Sequence, residues 1–549
     1  MVEDKTHRRS VLKTSAAVGM LGLAGCSGGT NAGGESSSGG TTDGGSTTGG
    51  SGGEAVNGGH MRVALAQGLA SMSPFKGIKI DYLLKETLYD RLTRVDFDFN
   101  VKPNLAKDWE SNDDASAWTF HLQEDATFAN MDGRKVRAED VKATIEYMQT
   151  DNCPSCTRDI PGVDSVEIVD EKTVKLHLAR SDVNFPRRCA ETGSTFCIAP
   201  KPILENNPSR IDETDYGSGP FVLTEWEKDN KMVLEANENY HLTDGDGNQL
   251  PYLDKMTAII QTDEVARNNM LVDGSVDCVN RLPQSSYSQV KERVNIAQRT
   301  GGDQFPIILN QTIDEFQSLE LRQAMKYAMD RSQMLSVFAG NASLSNHSEF
   351  TPVHKYYAED IAPGNTFGTT AKPKKAKQKL KEAGYGEGLQ LPTLYYGDGF
   401  AERADLVQLF QQQMKRVGID FEIQVLEEST WLSDYWAEDG YWYMTDWSTR
   451  VNGDTLSRLT VSSKGEWNEA RWTNDRYEKA LDSALSATTE EARREHLKEC
   501  QRIMHMEGPW LTTVIPDVMG AYNDTVAEYN LFPTLNKDHL QHCRLAGNQ

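Results

Sequence analysis

Apolar and polar residues alternate in "HMRVALAQ" (residues 60–67), which predicts an edge strand opening the fold. In "SPFKGIKIDYLLKETLYDRL" the apolar positions from Tyr82 to Leu92 recur instead at helical spacing. "AWTFHLQ" and "TVKLHLA" alternate and predict short strands. "RAEDVKATIEYM" predicts a helix with acids in its first turn, where they complement the helix dipole. "YGSGPFVLTEWEKDNKMVLEANENY" holds turn glycines and then two alternating runs, the pattern of a hairpin. From about Ile307 the rhythm changes to strand "PIILN", helix "SLELRQAMKYAMDRSQMLSVF", and helix "KPKKAKQKLKEAGY" stopping at Gly384. Strand "LPTLYY", helix "ERADLVQLFQQQMKRVG" and strand "DFEIQVLE" follow, an alternation that argues for an α/β lobe. "NDRYEKALDSALSATTEEARREHLKECQRIMHMEG" reads as two helices with a capped break at Thr488-Thr489, and "PWLTTVIPDVMGAY" returns to strand. No internal repeat is present.

The chain ahead of His60 has no such periodicity. Lys5, His7, Arg8 and Arg9 precede a weak apolar stretch, Ala16 to Ala24, far shorter than the ~20 residues a bilayer requires. Small residues follow, then Cys26, which is the order of parts in an export signal. Arg8-Arg9 with Val11-Leu12-Lys13 looks like the twin-arginine type, and Leu23-Ala24-Gly25-Cys26 resembles a lipobox, implying Cys26 as the lipidated residue. Residues 27–59, rich in Gly, Ser and Thr, have almost nothing apolar to bury and predict a flexible tether. At about 5–6 Å × √n its typical reach is roughly 30 Å. These features predict a body moored by lipid alone at the outer face of the cell membrane.

About 490 residues remain, too many for one core, so two or more lobes are expected. Asp and Glu outnumber Lys and Arg by 81 to 57, a net charge of −24 that repels nucleic acid. Combined with the lipoprotein signal, this acidity resembles a protein of a haloarchaeon. Cys153, Cys156, Cys189 and Cys197 lie close in sequence, and outside the cell they predict two disulfides. A four-thiolate zinc site is the alternative, although seven residues separate the second pair. Cys278, Cys500 and Cys543 are expected to be buried thiols. "DGDGNQLPYLDK" begins like a calcium loop but has Gln249 and Lys255 where Gly and Glu are needed, so it reads as a polar turn. No metalloprotease, serine-hydrolase or phosphate-loop motif occurs, so no catalytic residue, metal or cofactor is expected. Asn310, Asn341, Asn346 and Asn523 stand in glycosylation sequons.

Several longer stretches, in their order, resemble one family. They are "ETLYDRLTRVDFDFNVKPNLAKDWESNDDASAWTFHLQEDATF", "RAEDVKATIEYM", "GSGPFVLTEWEKDNKMVLEANENYH", "LRQAMKYAMDRSQML", "KAKQKLKEAGY" and "ECQRIMHMEGPWLTTVIPD". Over residues 61 to 530 the chain resembles the extracellular solute-binding proteins of ABC importers, peptide (dipeptide/oligopeptide) class. The resemblance implies an α/β, periplasmic-binding-protein-like clamshell of two lobes, with an extra subdomain in the first. Residues 61–305 would form lobe one (subdomain about 90–215), 306–515 lobe two, and 516–549 a return to lobe one, after a signal at 1–26 and the tether at 27–59. It also implies a ligand between the lobes, an ABC permease with ATPase subunits as partners, and no chemistry performed.

Peptide binders of this family carry a Trp on a loop lying against the ligand, and three residues on an Asp that pairs with the peptide ammonium. In "YWYMTDWSTRVNGDT" Trp447 matches the Trp, but Arg450 stands at the Asp position, inverting the charge in favour of a carboxylate or phosphate. Met444 replaces the Arg that some relatives carry three residues before the Trp. Trp447, Ser448, Arg450 and Asp454 are therefore candidate ligand contacts. A purely bracing role, with Arg450 paired to Asp454 or Asp446, stays open beside it. "SMSPFKG" occupies a cleft-loop position and adds Ser71, Ser73 and Phe75. Trp436, Trp442 and Tyr443 add aromatic surface or core. The resulting expectation is a lipid-anchored receptor delivering short peptides or a similar polar solute to an ABC importer. The alternatives are an oligosaccharide or anionic solute on the same fold, a sensory receptor without transport, or a secreted hydrolase.

Overall fold

The structure, a computed structural model, describes residues 54–76, 82–150, 153, 156, 162–191, 195–534 and 540–547. The export signal, Cys26 and the tether up to residue 53 lie outside these residues. Two sheets organise the rest. A seven-stranded sheet runs in the order Asn295–Arg299, Val518–Tyr522, Cys278–Val279, His60–Leu65, Lys255–Ile260, Lys231–Ala236, Phe221–Glu227. A five-stranded sheet runs Ile423–Leu426, Leu394–Gly397, Trp442–Met444, Pro306–Ile308, Trp510–Thr512. Helices pack on each, as layered α/β lobes require to bury their sheets. A four-stranded antiparallel sheet, Ala106–Ser111, Ala117–Leu122, Thr173–Leu178, Val163–Ile168, forms a further layer with the helix Ala138–Met148 and its own core around Phe120, Ile145 and Leu176.

The chain passes from the first sheet to the second between Arg299 and Pro306, and returns between Thr512 and Val518. At this double crossing the backbones touch. A Cβ placed on Gly301 would lie 2.1 Å from the carbonyl oxygen of Pro516, so only glycine allows the approach. Ile515–Pro516 pairs with Ala342–Ser343, and the Gln298 amide donates to Asp517 at 2.7 Å, steadying the returning segment.

Several expectations are corrected. His60–Leu65 is an interior strand, parallel to both its neighbours. The polar position that suggested an edge, Arg62, is satisfied within the sheet by Asp277 at 2.7 Å. The helix expected from Ser318 to Phe338 is interrupted. Leu319–Ala328 ends at an extended Met329, and Asp330 caps a new short helix, Arg331–Met334, through the Gln333 amide. The tether ends early, because Ala55–Val56 pairs with Ala546 and Leu545. Cys153 and Cys156 form a disulfide, but Cys189 and Cys197 are free thiols buried in separate cores, so the expected second bridge is absent. Asn310, Asn341 and Asn346 are buried, which removes three of the four sequons from the surface. Asp244 accepts from the Asp246 and Asn248 amides and the Tyr252 hydroxyl, filling the calcium-like turn with its own donors. No described helix is long and apolar enough to cross a membrane.

Candidate functional site

The segment from Asp446 to Asp454 leaves the central strand Trp442–Met444 of the second lobe and is held from three directions. At its root, the fully buried Arg403 pairs with Asp446 and, at 2.8 Å, with Glu428. Next, Trp447 makes a two-way backbone pair with Gln304 of the crossing segment, its N–H donating at 2.9 Å and its carbonyl accepting at 3.0 Å. Asp303, beside Gln304, accepts from the Thr449 amide at 2.8 Å and the Ser448 hydroxyl at 3.2 Å. His354 then accepts the Thr351 amide on Nδ1, which leaves Nε2–H to donate to the Arg450 carbonyl at 2.8 Å. Burial keeps this imidazole neutral, pushed down to about 4.

The Trp447 ring is 9 % exposed and stacks on Trp467 with centroids 5.7 Å apart. Its indole N–H donates at 2.8 Å to Glu469, which also accepts from the Trp436 indole. Burial pushes the Glu469 carboxyl up to about 8, against the opposing pull of the two indole donors. Its folded pKa lies above its ordinary 4.5, so its contribution to stability is complete below about pH 4.5 and is lost as pH rises through about 8. Tryptophan emission should therefore titrate near pH 8 and unfolding temperature should fall across the same interval. Glu469→Gln should flatten the fluorescence titration. An unchanged titration in the variant would remove Glu469 as its source.

Beyond Arg450 the segment crosses to the other lobe. Glu191 accepts the Val451 amide at 2.8 Å, the Asn452 amide at 3.1 Å and the Asn452 side chain at 2.9 Å. Val451 packs with Val95, Phe99, Ala190 and Phe532 of the first lobe. Asp454, 1 % exposed, binds Arg188 of the first lobe at 2.9 Å and Arg493 of the second at 3.0 Å, while Arg458 stands 3.8 Å away. Asp182 of the first lobe completes the cluster through Arg188 and, at 3.6 Å, Arg493. The lobes are closed on each other here.

Of the residues expected in the site, Trp447, Ser448 and Arg450 share one loop. Arg450 is half-buried and its side chain makes no hydrogen bond or ion pair among the described residues. It braces neither Asp446 nor Asp454, whose partners are other arginines. Asp454 is corrected from ligand contact to lobe-to-lobe contact, because its carboxylate is enclosed by guanidinium groups. Ser71 donates to Asp212 at 2.8 Å and accepts the Ser73 amide. Ser73 is buried and accepts the Phe75 amide, and the Phe75 ring lies 5.0 Å from Tyr147, in the first-lobe subdomain. No hydrogen bond or ring contact among the described residues joins this turn to the Trp447 loop. Trp442 and Tyr443 are core, at 0 % exposure. Sequence reading missed Asp303, Gln304, Arg188, Glu191 and Glu469. Only Glu469 had a local signal, two residues after Trp467. No described cluster of His, Cys, Asp and Glu is arranged to hold a metal.

Residues 100–469, about two-thirds of the chain, match the bacterial extracellular solute-binding proteins, family 5 (Middle). The chain is 26 % identical over 455 residues to heme-binding protein A of Haemophilus influenzae, covering 75 % of this chain and 78 % of the relative. It is 24 % identical over 486 residues to the glutathione-binding protein GsiB of Salmonella typhi, covering 86 % and 92 %. Among solved structures it resembles DppA of Helicobacter pylori in complex with the peptide STSA, with a TM-score of 0.71, 20 % identity and coverage of 90 % and 99 %. The oligopeptide-binding protein AppA of Bacillus subtilis, in complex with a nonapeptide, gives 0.70, 24 %, 90 % and 100 %. These structures share the two-lobed fold. The chain belongs to the family 5 extracellular solute-binding proteins of ABC importers, exported two-lobed receptors that bind their solute and do not transform it.

Proposed function

We propose that this receptor captures short peptides, or a polar solute of similar size, between its lobes and hands them to an ABC permease driven by ATPase subunits. One observation carries the reading: the Trp447 loop is bonded both to the crossing segment at Gln304 and to the opposite lobe at Glu191, so a solute against Trp447 lies where closure is decided. The relatives support the same class, since DppA and AppA are described with peptides and GsiB as glutathione-binding. Trp447 offers a stacking face, Ser448 a hydroxyl and Arg450 a cation for a carboxylate or carbonyl oxygen. Of the first-lobe turn, Ser71 would face the solute from the other side, while Ser73 and Phe75 are buried and shape the turn beneath it. The chain is held at the outer face of the membrane through lipid on Cys26 after twin-arginine export, and the acidic surface fits the high-salt medium of a haloarchaeon.

A second reading, an anionic solute, is favoured by Arg450, which has no acidic partner among the described residues. Calorimetry against tri- and tetrapeptides, oligosaccharides and dicarboxylates separates the two. Peptides should bind, and Trp447→Ala should weaken them by about 10- to 100-fold, equivalent to roughly 1.4–2.7 kcal/mol. Failure of every peptide would end the first reading, and dicarboxylate binding lost in Arg450→Gln would establish the second. The mass of the mature N-terminus reads whether Cys26 carries lipid.

A further inference from the structure

The closed edge between the lobes contains more positive charge than its own acids neutralise. Asp182 and Asp454 face three guanidinium groups, those of Arg188, Arg458 and Arg493. Arg188 and Arg493 spend theirs on direct bonds to the two carboxylates. Arg458 does not: it makes no hydrogen bond among the described residues, and its buried Nε has only the Asp454 carboxylate, 3.8 Å away and beyond hydrogen-bond reach. Burial and the neighbouring Arg188 both push the Arg458 guanidinium down, to about 10, so the group stays charged at neutral pH in surroundings that disfavour it. Beside it is a cavity of about 40 Å³, lined by Arg180, Asp182 and Arg188 from the first lobe and by Arg458 and Leu485 from the second. One water needs about 10–15 Å³ of such space, so the cavity takes about three or four waters or one small ion, and no peptide.

We propose that this cavity is an anion site, taking a single halide-sized anion between Arg458 and Arg180 that neutralises the surplus positive charge and bridges the two lobes. Its chemistry is that of a counter-ion at the rim of the closed interface, where the Arg458 side chain is 21 % exposed and Arg180 reaches solvent. Water alone would satisfy the Nε–H but would leave the surplus charge uncompensated in a partly desolvated setting. Both lobes contribute to the lining, so the anion is bound in the closed form and its sites part on opening. By linkage it favours closure whichever solute fills the main cleft. The site goes beyond the solute reading and stands or falls independently of it.

The test uses the full chain. Crystals of the closed form soaked in sodium bromide should show an anomalous bromide peak in this cavity, within hydrogen-bond distance of the Arg458 guanidinium. An empty cavity in crystals that take up bromide elsewhere overturns the proposal. In solution, the unfolding temperature should be higher in sodium chloride than in sodium gluconate at equal ionic strength, by about 2 °C. Arg458→Gln should abolish that difference, and Arg450→Gln, away from the cavity, should keep it. A chloride effect of the same size in Arg458→Gln overturns the site. If that variant fails to fold, the bromide experiment on the unaltered protein decides alone.

Discussion

Asp454→Asn should open the clamshell. The substitution removes one carboxylate from between three guanidinium groups and leaves Asp182 as the one acid facing Arg188 and Arg493 in a buried interface. Breaking a buried ion pair from one side costs about 3–5 kcal/mol, mostly because the surviving charge stays desolvated. In this protein a cheaper route than unfolding exists. Separating the lobes returns Arg188 to water without disturbing either sheet, so the penalty falls on the closed state. An effect of about 3 kcal/mol displaces the open–closed balance by more than 100-fold. Solution scattering should report a larger radius of gyration for Asp454→Asn, with helix content unchanged and solute affinity reduced. Scattering and affinity indistinguishable from the unaltered protein would refute the assignment. Acid should not mimic the substitution at pH 4. Burial alone would raise the Asp454 carboxyl, but Arg188, Arg493 and Arg458 hold it well below the usual carboxylate range. For a group depressed in this way, the stabilising contribution is present above the ordinary value near 3.8 and is lost only as pH falls through the lower folded value.

Gly301→Ala should damage the double crossing between the sheets. The added methyl would sit 2.1 Å from the Pro516 carbonyl oxygen and 3.4 Å from a Val518 methyl. A flexible side chain yields to such a contact, but here the obstacle is backbone, in the second of the two crossing segments. Those segments must separate, which strains Gln298–Asp517 on one side and the Gln304–Trp447 pair on the other. Overpacking usually costs about 1–3 kcal/mol, and a backbone obstacle places this case at the upper end or beyond. The expected result is a drop of several degrees in unfolding temperature together with weaker solute binding. Gly245→Ala, where a Cβ meets nothing within 4 Å, should leave both unchanged. Equal behaviour of the two variants would show that the crossing has more room than its geometry indicates.

The elements with strong periodicity were legible in the chain. Residues 475–507 give two helices parted where Thr489 caps the second, because a capping side chain and an amphipathic stripe are both local signals. The break at Met329 was not, since it depends on Asp330 capping a new turn within an otherwise helical pattern. The interior place of His60–Leu65 was hidden because Arg62 finds its acid more than 200 residues away in sequence. The same limit governs the site. The Trp447 loop is a local feature of the sequence, but the partner of Asp454 is Arg188, 266 residues distant, and nothing near either residue advertises the other. The cysteines show the converse error. Proximity in sequence suggested two bridges, yet Cys189 and Cys197 pack into different cores.

The pairing of Trp447 with Gln304 has a mechanical meaning. The peptide groups that carry the indole are bonded directly to the segment that joins the two sheets, so a displacement of that ring reaches the crossing through main-chain bonds alone.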